Sequence, residues 1–453
     1  MGYSQRDGGG ERRNIAVIGT GISGLSAAWL LSQRHNVTVY EADDRVGGHS
    51  NTTEIDAPGG PVPVDTGFIV YNEQAYPNLT ALFKLLDVPT VASDMSFAVS
   101  LDRGRFEYSG TNLAGLLAQP ANAFKPRYWS MISDILRFYK NVLKDLPHMG
   151  EMSLDAYLDL NNYGRPFRED HLYPMAAAIW STPAAEVGAY PATAFVKFCR
   201  NHGLLEVTNR PQWRTVKGGS REYVKRLSAR FADNILLSTP VIAIRRFGTS
   251  VEISDARGGT RSFDDVVIAT HADQALKMLG DPSAEERRLL GAFRYSSNEA
   301  VLHSDTSLMP KRRLAWSSWN YLADGAAGNR KLSVTYWMNR LQPLGKAAPT
   351  FVTLNPCREP DPASVLSRQI YEHPIFDVET YRAQHEIWHL QGQRNTWFCG
   401  AHFGAGFHED GLQAGLAVAE DLGGLRRPWL VVADSARIVR KPVALPIGVE
   451  ALA

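Results

Sequence analysis

Residues 15–41 constrain this chain more tightly than any other stretch. Ile15-Ala-Val-Ile18 is a short apolar strand that runs directly into Gly19-Thr-Gly21-Ile-Ser-Gly24. Leu25 to Leu31 then reads as a buried helix, and Val37-Thr-Val-Tyr40 as a second strand ending on Glu41. A bare GxGxxG occurs in many loops, but strand, glycine turn, helix, strand and terminal acid together specify a dinucleotide site. Gly19 permits the tight turn, Gly21 lets backbone approach a pyrophosphate, and Gly24 lets helix pack on strand. The helix start supplies free N–H groups and a positive dipole end. Glu41 can accept from ribose hydroxyls and would repel a 2′-phosphate, which disfavours NADP.

Glu41 also opens Glu-x-x-x-Arg45-x-Gly47-Gly48, a second glycine turn with a cation to offset diphosphate charge. With that extension the sequence resembles the flavin-dependent amine oxidase and phytoene desaturase superfamily. That family usually carries arginine after the Gly-Gly pair, where this chain has His49. The resemblance implies an α/β architecture: a Rossmann-like FAD-binding domain with an interwoven α+β substrate domain. It places the FAD-binding domain in 14–95, 212–285 and 391–424, and the substrate domain in 96–211 and 286–390. Residues 1–13 and 425–453 read as tails.

Further motifs carry the same resemblance. Val64-Asp-Thr-Gly67-Phe68 resembles the family's Asp-x-Gly turn near the flavin. Val216-Lys-Gly-Gly-Ser220 opens a helix with Tyr223, Leu227 and Phe231 on one face. Ile235-Leu-Leu and Pro240–Ile244 read as one strand region, and Val251-Glu-Ile253 and Asp265–Ile268 as core strands. Trp397-Phe-Cys-Gly400 reads as the last strand and Gly411–Leu422 as the helix after it. By resemblance, non-covalent FAD is contacted by Gly19, Gly21, Ile22, Ser23, Gly24, Glu41, Ala42, Arg45, Gly47, Gly48, His49, Thr66, Gly67, Phe68, Val241, Thr270, Gly400, Ala401, Asp410, Gly411 and Leu412. Cys399 falls within the last strand, away from the family's covalent attachment point.

The substrate stretches hold aromatic groups, Trp316-Ser-Ser-Trp319-Asn-Tyr321 and Val334-Thr-Tyr336-Trp337-Met-Asn-Arg340, which fit a large apolar pocket or a packed sheet equally well. Leu302-His-Ser-Asp305, Met309-Pro310 and Gly406-Phe-His-Glu-Asp-Gly411 resemble a bacterial subgroup associated with modification of unsaturated fatty-acyl chains. The implied reaction is hydride transfer to flavin N5 with desaturation or isomerisation of an acyl lipid. Amine oxidation is the alternative, although no lysine among Lys311, Lys331 and Lys346 aligns with an amine-oxidase role, and Arg340 alone stands as a grip for a carboxylate. A flavin-dependent scaffold or redox partner is a third reading. The candidate catalytic groups are His408, Glu409 and His402, each of which also reads as a helix cap or cofactor contact.

His385-Glu-Ile-Trp-His389 satisfies HExxH, with Glu409 twenty residues on as a third zinc ligand. A zinc hydrolase explains none of the three glycine motifs, so no metal is expected. The formal net charge of +1 gives no global pull toward nucleic acid. Three dispersed cysteines and no apolar leader fit a cytoplasmic protein. The Pro126–Leu146 stretch reads as a helix with Trp129, Ile132, Leu136, Tyr139 and Leu143 on one stripe, flanked by Arg127, Arg137, Lys140 and Lys144. Such a helix packs on a domain or lies at the inner face of a membrane as a peripheral contact. The basic C-terminal residues Arg426, Arg427, Arg437, Arg440 and Lys441 raise the same question. No feature specifies an oligomeric state.

Overall fold

A computed structural model describes residues 12–180, 184–206, 210–324, 331–432 and 434–440. Three distant parts of the chain meet in one parallel five-stranded sheet: the first two contribute short β-branched runs buried on both faces, and the third contributes Thr396-Trp-Phe398, with Thr396 and Phe398 buried. Its order is Ile235–Leu236, Asn36–Tyr40, Asn14–Ile18, Asp265–Ile268 and Thr396–Phe398. The central strand runs in register with both neighbours, Ile18 opposite Tyr40 and Ile268. The carboxyl ends of three strands therefore converge where a doubly wound sheet binds its ligand.

The Ile22–Leu31 and His408–Gly423 helices cross on this sheet with little room between them. A Cβ on Gly415 would stand 2.1 Å from Ser23 O, and one on Gly411 would stand 2.8 Å from Ser23 Oγ. These glycines exist to let the helices approach. Asp65 ties the domain together: it accepts from Ser220 N (2.8 Å) and Ser220 Oγ (2.8 Å) at the start of the Arg221–Ser228 helix. Gln342 then bonds both its backbone N–H (2.9 Å) and its carboxylate (2.7 Å). One buried acid thus joins the Val64–Gly67 turn, the Val216–Ser220 turn and the larger sheet's side of the molecule.

That larger sheet has seven strands in the order Val365–Ile375, Arg294–His303, Phe351–Leu354, Lys331–Trp337, Trp319–Asp324, Phe97–Leu101 and Phe106–Ser109. Helices from 126 to 201 cover it, around a second apolar core. The two cores meet along the cavity described below.

Several expectations are corrected. Ile235–Leu236 and Val241–Arg246 are separate strands in different sheets, because the chain turns at Pro240. Of the expected tail 1–13, only Arg12 and Arg13 are described, and Arg13 is anchored by an ion pair to Asp265. Residues 425–440 are packed rather than trailing: Trp429 stacks on Trp29 with centroids 5.9 Å apart, and Arg427 is buried against Glu420 (2.7 Å). The other basic residues there are paired too, Arg426 with Glu420 and Asp434, Arg437 with Asp410, and Arg440 with Asp421. They offer no free basic patch. Residues 1–11 and 441–453, Lys441 included, lie outside the described residues.

Candidate active site

One continuous cavity of about 850 Å³ runs from the Gly19–Gly24 turn to the Pro126–Asp145 helix. That is the upper part of the range for small-molecule sites. At its nucleotide end the Ile22–Leu31 helix starts with Gly21, which makes no side-chain cap, and its first turn holds no acid. Its leading N–H groups are therefore free for an anion. Gly19 adopts φ +98°, and a Cβ on Gly24 would lie 1.9 Å from Gly19 O. A Cβ on Gly21 would meet no protein atom within 4 Å, because that position faces open cavity.

Glu41 is buried at the tip of its strand. One carboxylate oxygen accepts from both Thr20 N–H (2.8 Å) and the Thr20 hydroxyl, and the other accepts from Asp43 N–H (2.9 Å). Oε1, with one bond, keeps acceptor capacity, and Glu41 stands in the cavity wall, as ribose recognition requires. Arg45 Nη1 is buried with no partner, an orphaned cationic donor beside the glycine turns. The second turn closes on the first: Gly48, at φ +55°, would set a Cβ 3.1 Å from Gly21 Cα. These residues fit FAD: phosphate donors, a spare cation, a ribose acceptor and room for a diphosphate.

Ile22, Ser23, Ala42, His49, Thr66, Gly67, Phe68, Val241, Thr270, Gly400, Ala401, His402 and His408 all stand in the cavity wall. Arg45, Gly24 and Gly47 shape the turns from behind it. Asp410, Gly411 and Leu412 stand outside the wall: Asp410 caps its own helix by accepting from Phe407 N–H (2.8 Å), while Gly411 faces Ser23. Helix periodicity explains this, since of this stretch only Gly406, Phe407 and the first helical residue, His408, reach the cavity.

The three candidate catalytic groups separate. Glu409 is turned into the protein and accepts from Asn78 N–H (3.0 Å), Asn78 Nδ2 (2.8 Å), Leu79 N–H (3.0 Å) and Gln413 Nε2 (2.9 Å). It holds the start of the Pro77–Leu85 helix and is not a base at the ring edge. His408 lies against Phe68 (3.7 Å between centroids), with Nε2 3.0 Å from Ser50 Oγ and 2.9 Å from Tyr223 Oη. Burial lowers it to about 3, so it is a neutral wall residue. His402 is also buried and lowered to about 3, with its Nε2 unpartnered.

The zinc reading fails on the same geometry. Glu409 is committed elsewhere, Glu386 pairs with Arg288 (2.6 Å), and the Val378–Glu386 helix gives way to a 3₁₀ turn before His389. Among the described residues no group of three metal-ligating side chains occurs.

Short motifs gave no sign of two other cavity residues, Tyr371 and His373, which alternate on one strand face. Tyr371 Oη bonds Thr66 (2.8 Å) and Asn51 (3.1 Å), and its ring lies 5.0 Å from His49. His373 Nδ1 receives the Asn298 amide at 3.0 Å. His49 and His373 stand 5.4 Å apart; burial and their mutual charge hold His49 well below the ordinary histidine range. The strand alternation that places them becomes informative only once the strand's covered face is known.

Beyond this the cavity widens into an aromatic and aliphatic chamber. Trp319 and Tyr336 form its floor, Ile132, Ile135 and Tyr139 its roof, and Trp180, Phe198 and Phe407 its side. Of the sequence's aromatic groups, Trp316 and Trp337 pack with Phe351 in a separate cluster. Arg340 is taken by Asp94 (2.8 Å) and is no carboxylate grip. Arg210 does reach the chamber wall, its Nε bonded to Glu206 O (2.8 Å).

The sequence profile of flavin-containing amine oxidoreductases matches residues 22–305. A Mycobacterium tuberculosis protein provisionally named flavin-containing monoamine oxidase AofH is 24% identical over 377 residues, covering 78% of this chain and 73% of its own length. Wild-type putrescine oxidase bound to putrescine superposes with a TM-score of 0.66 at 14% identity, covering 91% of this chain and 99% of that one. The fatty acid isomerase of P. acnes that produces CLA superposes with a TM-score of 0.64 at 15% identity, covering 90% and 98%. These two structures share the two-domain fold. The chain belongs to the flavin-containing amine oxidoreductase family and is a FAD-dependent oxidoreductase.

Proposed function

We propose that this oxidoreductase acts on an unsaturated fatty-acyl lipid, desaturating it or shifting a double bond. The observation that carries the reading is the charge of the chamber. Its wall beyond the flavin end is apolar and aromatic, and among the described residues the charged side chain there is the cation Arg210, at the exposed rim. His171 and His202 are neutral, lowered by burial to about 4 and about 3. A guanidinium repels an ammonium substrate and attracts a carboxylate or phosphate head. The aromatic and aliphatic walls suit the chain behind such a head.

Bound FAD supplies a two-electron acceptor for a hydride leaving carbon. The protein's own contribution is orientation, dryness and a defined set of hydrogen-bond donors. Asn298 holds His373, the chamber excludes water from an allylic C–H, and aromatic faces stabilise positive charge developing there. Cys399 is buried in the wake of its strand, with its N–H bonded to Ile268 O (3.0 Å), so acid precipitation should release FAD intact.

Amine oxidation is the second reading, favoured by two bare acceptors. His171 Nε2 and His202 Nε2 are buried without partners and could receive an N–H. Product mass spectrometry after incubation with acyl lipids and with amines separates these readings. A product two mass units lighter than the lipid marks desaturation, equal mass with a moved double bond marks isomerisation, and an aldehyde from an amine overturns the lipid assignment.

A further inference from the structure

The Pro126–Asp145 helix carries its residues in an order that a merely packed helix does not need. At 100° per residue, Tyr128, Met131, Phe138 and Val142 form the buried face. Ile135, Tyr139 and Ile132 come next round the helix and line the cavity. Trp129, Leu136 and Leu143 follow, seven residues apart, and are 53%, 54% and 40% exposed. Beyond them come Lys140 and Lys144, both exposed, with no ion pair among the described residues. Core, cavity, bare apolar stripe and free lysines thus succeed one another around a single helix.

The stripe continues past the helix start. Phe124 is 88% exposed, Leu113 71% and Leu117 37%, and Tyr128 Oη donates to Leu116 O (2.8 Å), which fixes that segment beside the helix. Leu116 itself is in the cavity wall. Leu136 is both exposed and in the wall, so the cavity reaches the surface beside the stripe. Exposed apolar surface of this extent on a soluble face marks an interaction site.

We propose that this helix and the 113–124 segment seat the protein on an anionic phospholipid bilayer, with the cavity mouth facing the lipid. The inference rests on the acyl-lipid reading for its purpose, while its evidence is separate. Charge complementarity selects the occupant. The helix carries Arg127, Arg137, Lys140 and Lys144 against Asp134 and Asp145. Arg137 is spent on Asp134 and Arg127 on Glu169 and Asp170, while Asp145, which keeps its charge, lies on the side of the helix opposite the stripe and accepts from Tyr157 Oη (2.7 Å). What remains is a positive rim beside an apolar stripe, the pattern of a helix lying in a lipid interface. No helix among the described residues is long and apolar enough to cross a membrane, so the contact is interfacial.

Sedimentation of the FAD-loaded protein with vesicles tests this, using phosphatidylcholine alone and phosphatidylcholine mixed equally with phosphatidylglycerol. The parent protein should partition onto mixed vesicles more strongly than onto phosphatidylcholine, and added salt should weaken it. Lys140→Glu with Lys144→Glu should weaken mixed-vesicle binding by about thirtyfold or more. Phe124→Ser with Leu143→Ser should weaken binding to both compositions. All four positions are exposed and outside the cavity wall, so FAD content and Tm should stay at parent values in both variants. Absence of partition onto either vesicle overturns the proposal, as does parent-like binding by both variants. A solution dimer that Phe124→Ser with Leu143→Ser dissolves, without vesicle binding, would assign the stripe to a second copy instead. The assay reads no turnover, so an acyl lipid that fails to reduce the flavin leaves docking standing. Rapid reduction by detergent-dispersed lipid without vesicle binding removes docking alone.

Discussion

Asn298 donates its side-chain N–H to Nδ1 of His373 at 3.0 Å, and this one bond sets where the imidazole keeps its proton. The amide orientation is fixed from both ends: Nδ2 also donates to Ser296 O (2.9 Å), and Oδ1 accepts from Asn355 Nδ2 (2.7 Å). Nδ1 must therefore be the acceptor, and the neutral ring carries its proton on Nε2. Burial lowers His373 to about 4, so that state persists through neutral pH. The cavity is given a fixed donor there rather than a cation.

We predict that Asn298→Asp reverses this tautomer, because a carboxylate can only accept and draws the proton to Nδ1. Turnover should fall by roughly a hundredfold with bound FAD retained. Imidazole ¹⁵N NMR should show the protonated nitrogen changing from Nε2 to Nδ1. Unchanged turnover alongside a reversed tautomer would remove His373 from the chemistry.

Two glycines of one motif should fail in different ways. Gly21→Ala adds a methyl that meets no protein atom within 4 Å, so the apoprotein should melt at the parent temperature. The methyl occupies the space of the diphosphate, and FAD affinity should fall by at least about tenfold. Gly24→Ala puts its methyl 1.9 Å from Gly19 O, so the fold itself should lose about 1–3 kcal/mol. Thermal melts of apoprotein and holoprotein, with a flavin titration, distinguish the two. Equal losses of apoprotein stability would contradict the geometry.

Glu409→Ala should destabilise without disabling. It leaves three donors on Asn78 and Leu79 without their acceptor, a loss of about 3 kcal/mol. Turnover per bound flavin should stay within about twofold of the parent. A large loss of turnover at unchanged Tm would return Glu409 to the reaction.

Stability should fall steeply below neutral pH. His171, His303 and His373 are lowered by burial to about 4, and His202, His402 and His408 to about 3. The unfolded chain binds these protons near 6.5 and the native state does not. The stability they contribute is therefore complete above about pH 6.5 and is lost as pH falls toward 4, by about 1.4 kcal/mol per pH unit for each. Asp65, raised by burial to about 6, works in the opposite direction, as do Asp265, Glu409 and Asp410, also raised by burial, and together they offset part of this loss. Tm measured from pH 7.5 to 5 should fall monotonically. A flat profile would mean that these rings are hydrated.

The nucleotide end was legible because its chemistry is local. Gly19, Gly21, Gly24 and Glu41 lie within one strand–helix–strand unit, and their spacing alone fixes their geometry. Trp397-Phe-Cys-Gly400 was legible as the last strand through its family resemblance, whereas its pairing with Asp265–Ile268 was not. Glu409 was misplaced because one helical step decides whether a side chain meets the cavity or the neighbouring helix. Asn298, His373 and Arg210 escaped because strand partners and loop packing place them, and no short spacing encodes either. The stripe on the Pro126–Asp145 helix was visible as periodicity, but which part was bare depended on what the cavity and core had already covered.

Anaerobic flavin absorbance decides whether an unsaturated acyl lipid is the substrate. The FAD-loaded protein is mixed with unsaturated acyl lipids bearing an anionic head and, separately, with primary amines, without added nicotinamide. Bleaching of the oxidised flavin band by the lipid and not by the amines is the predicted result. For an isomerase that returns the hydride, the bleaching is transient. Rapid bleaching by an amine, with no response to any acyl lipid, would rule out an acyl-lipid substrate and assign amine oxidation.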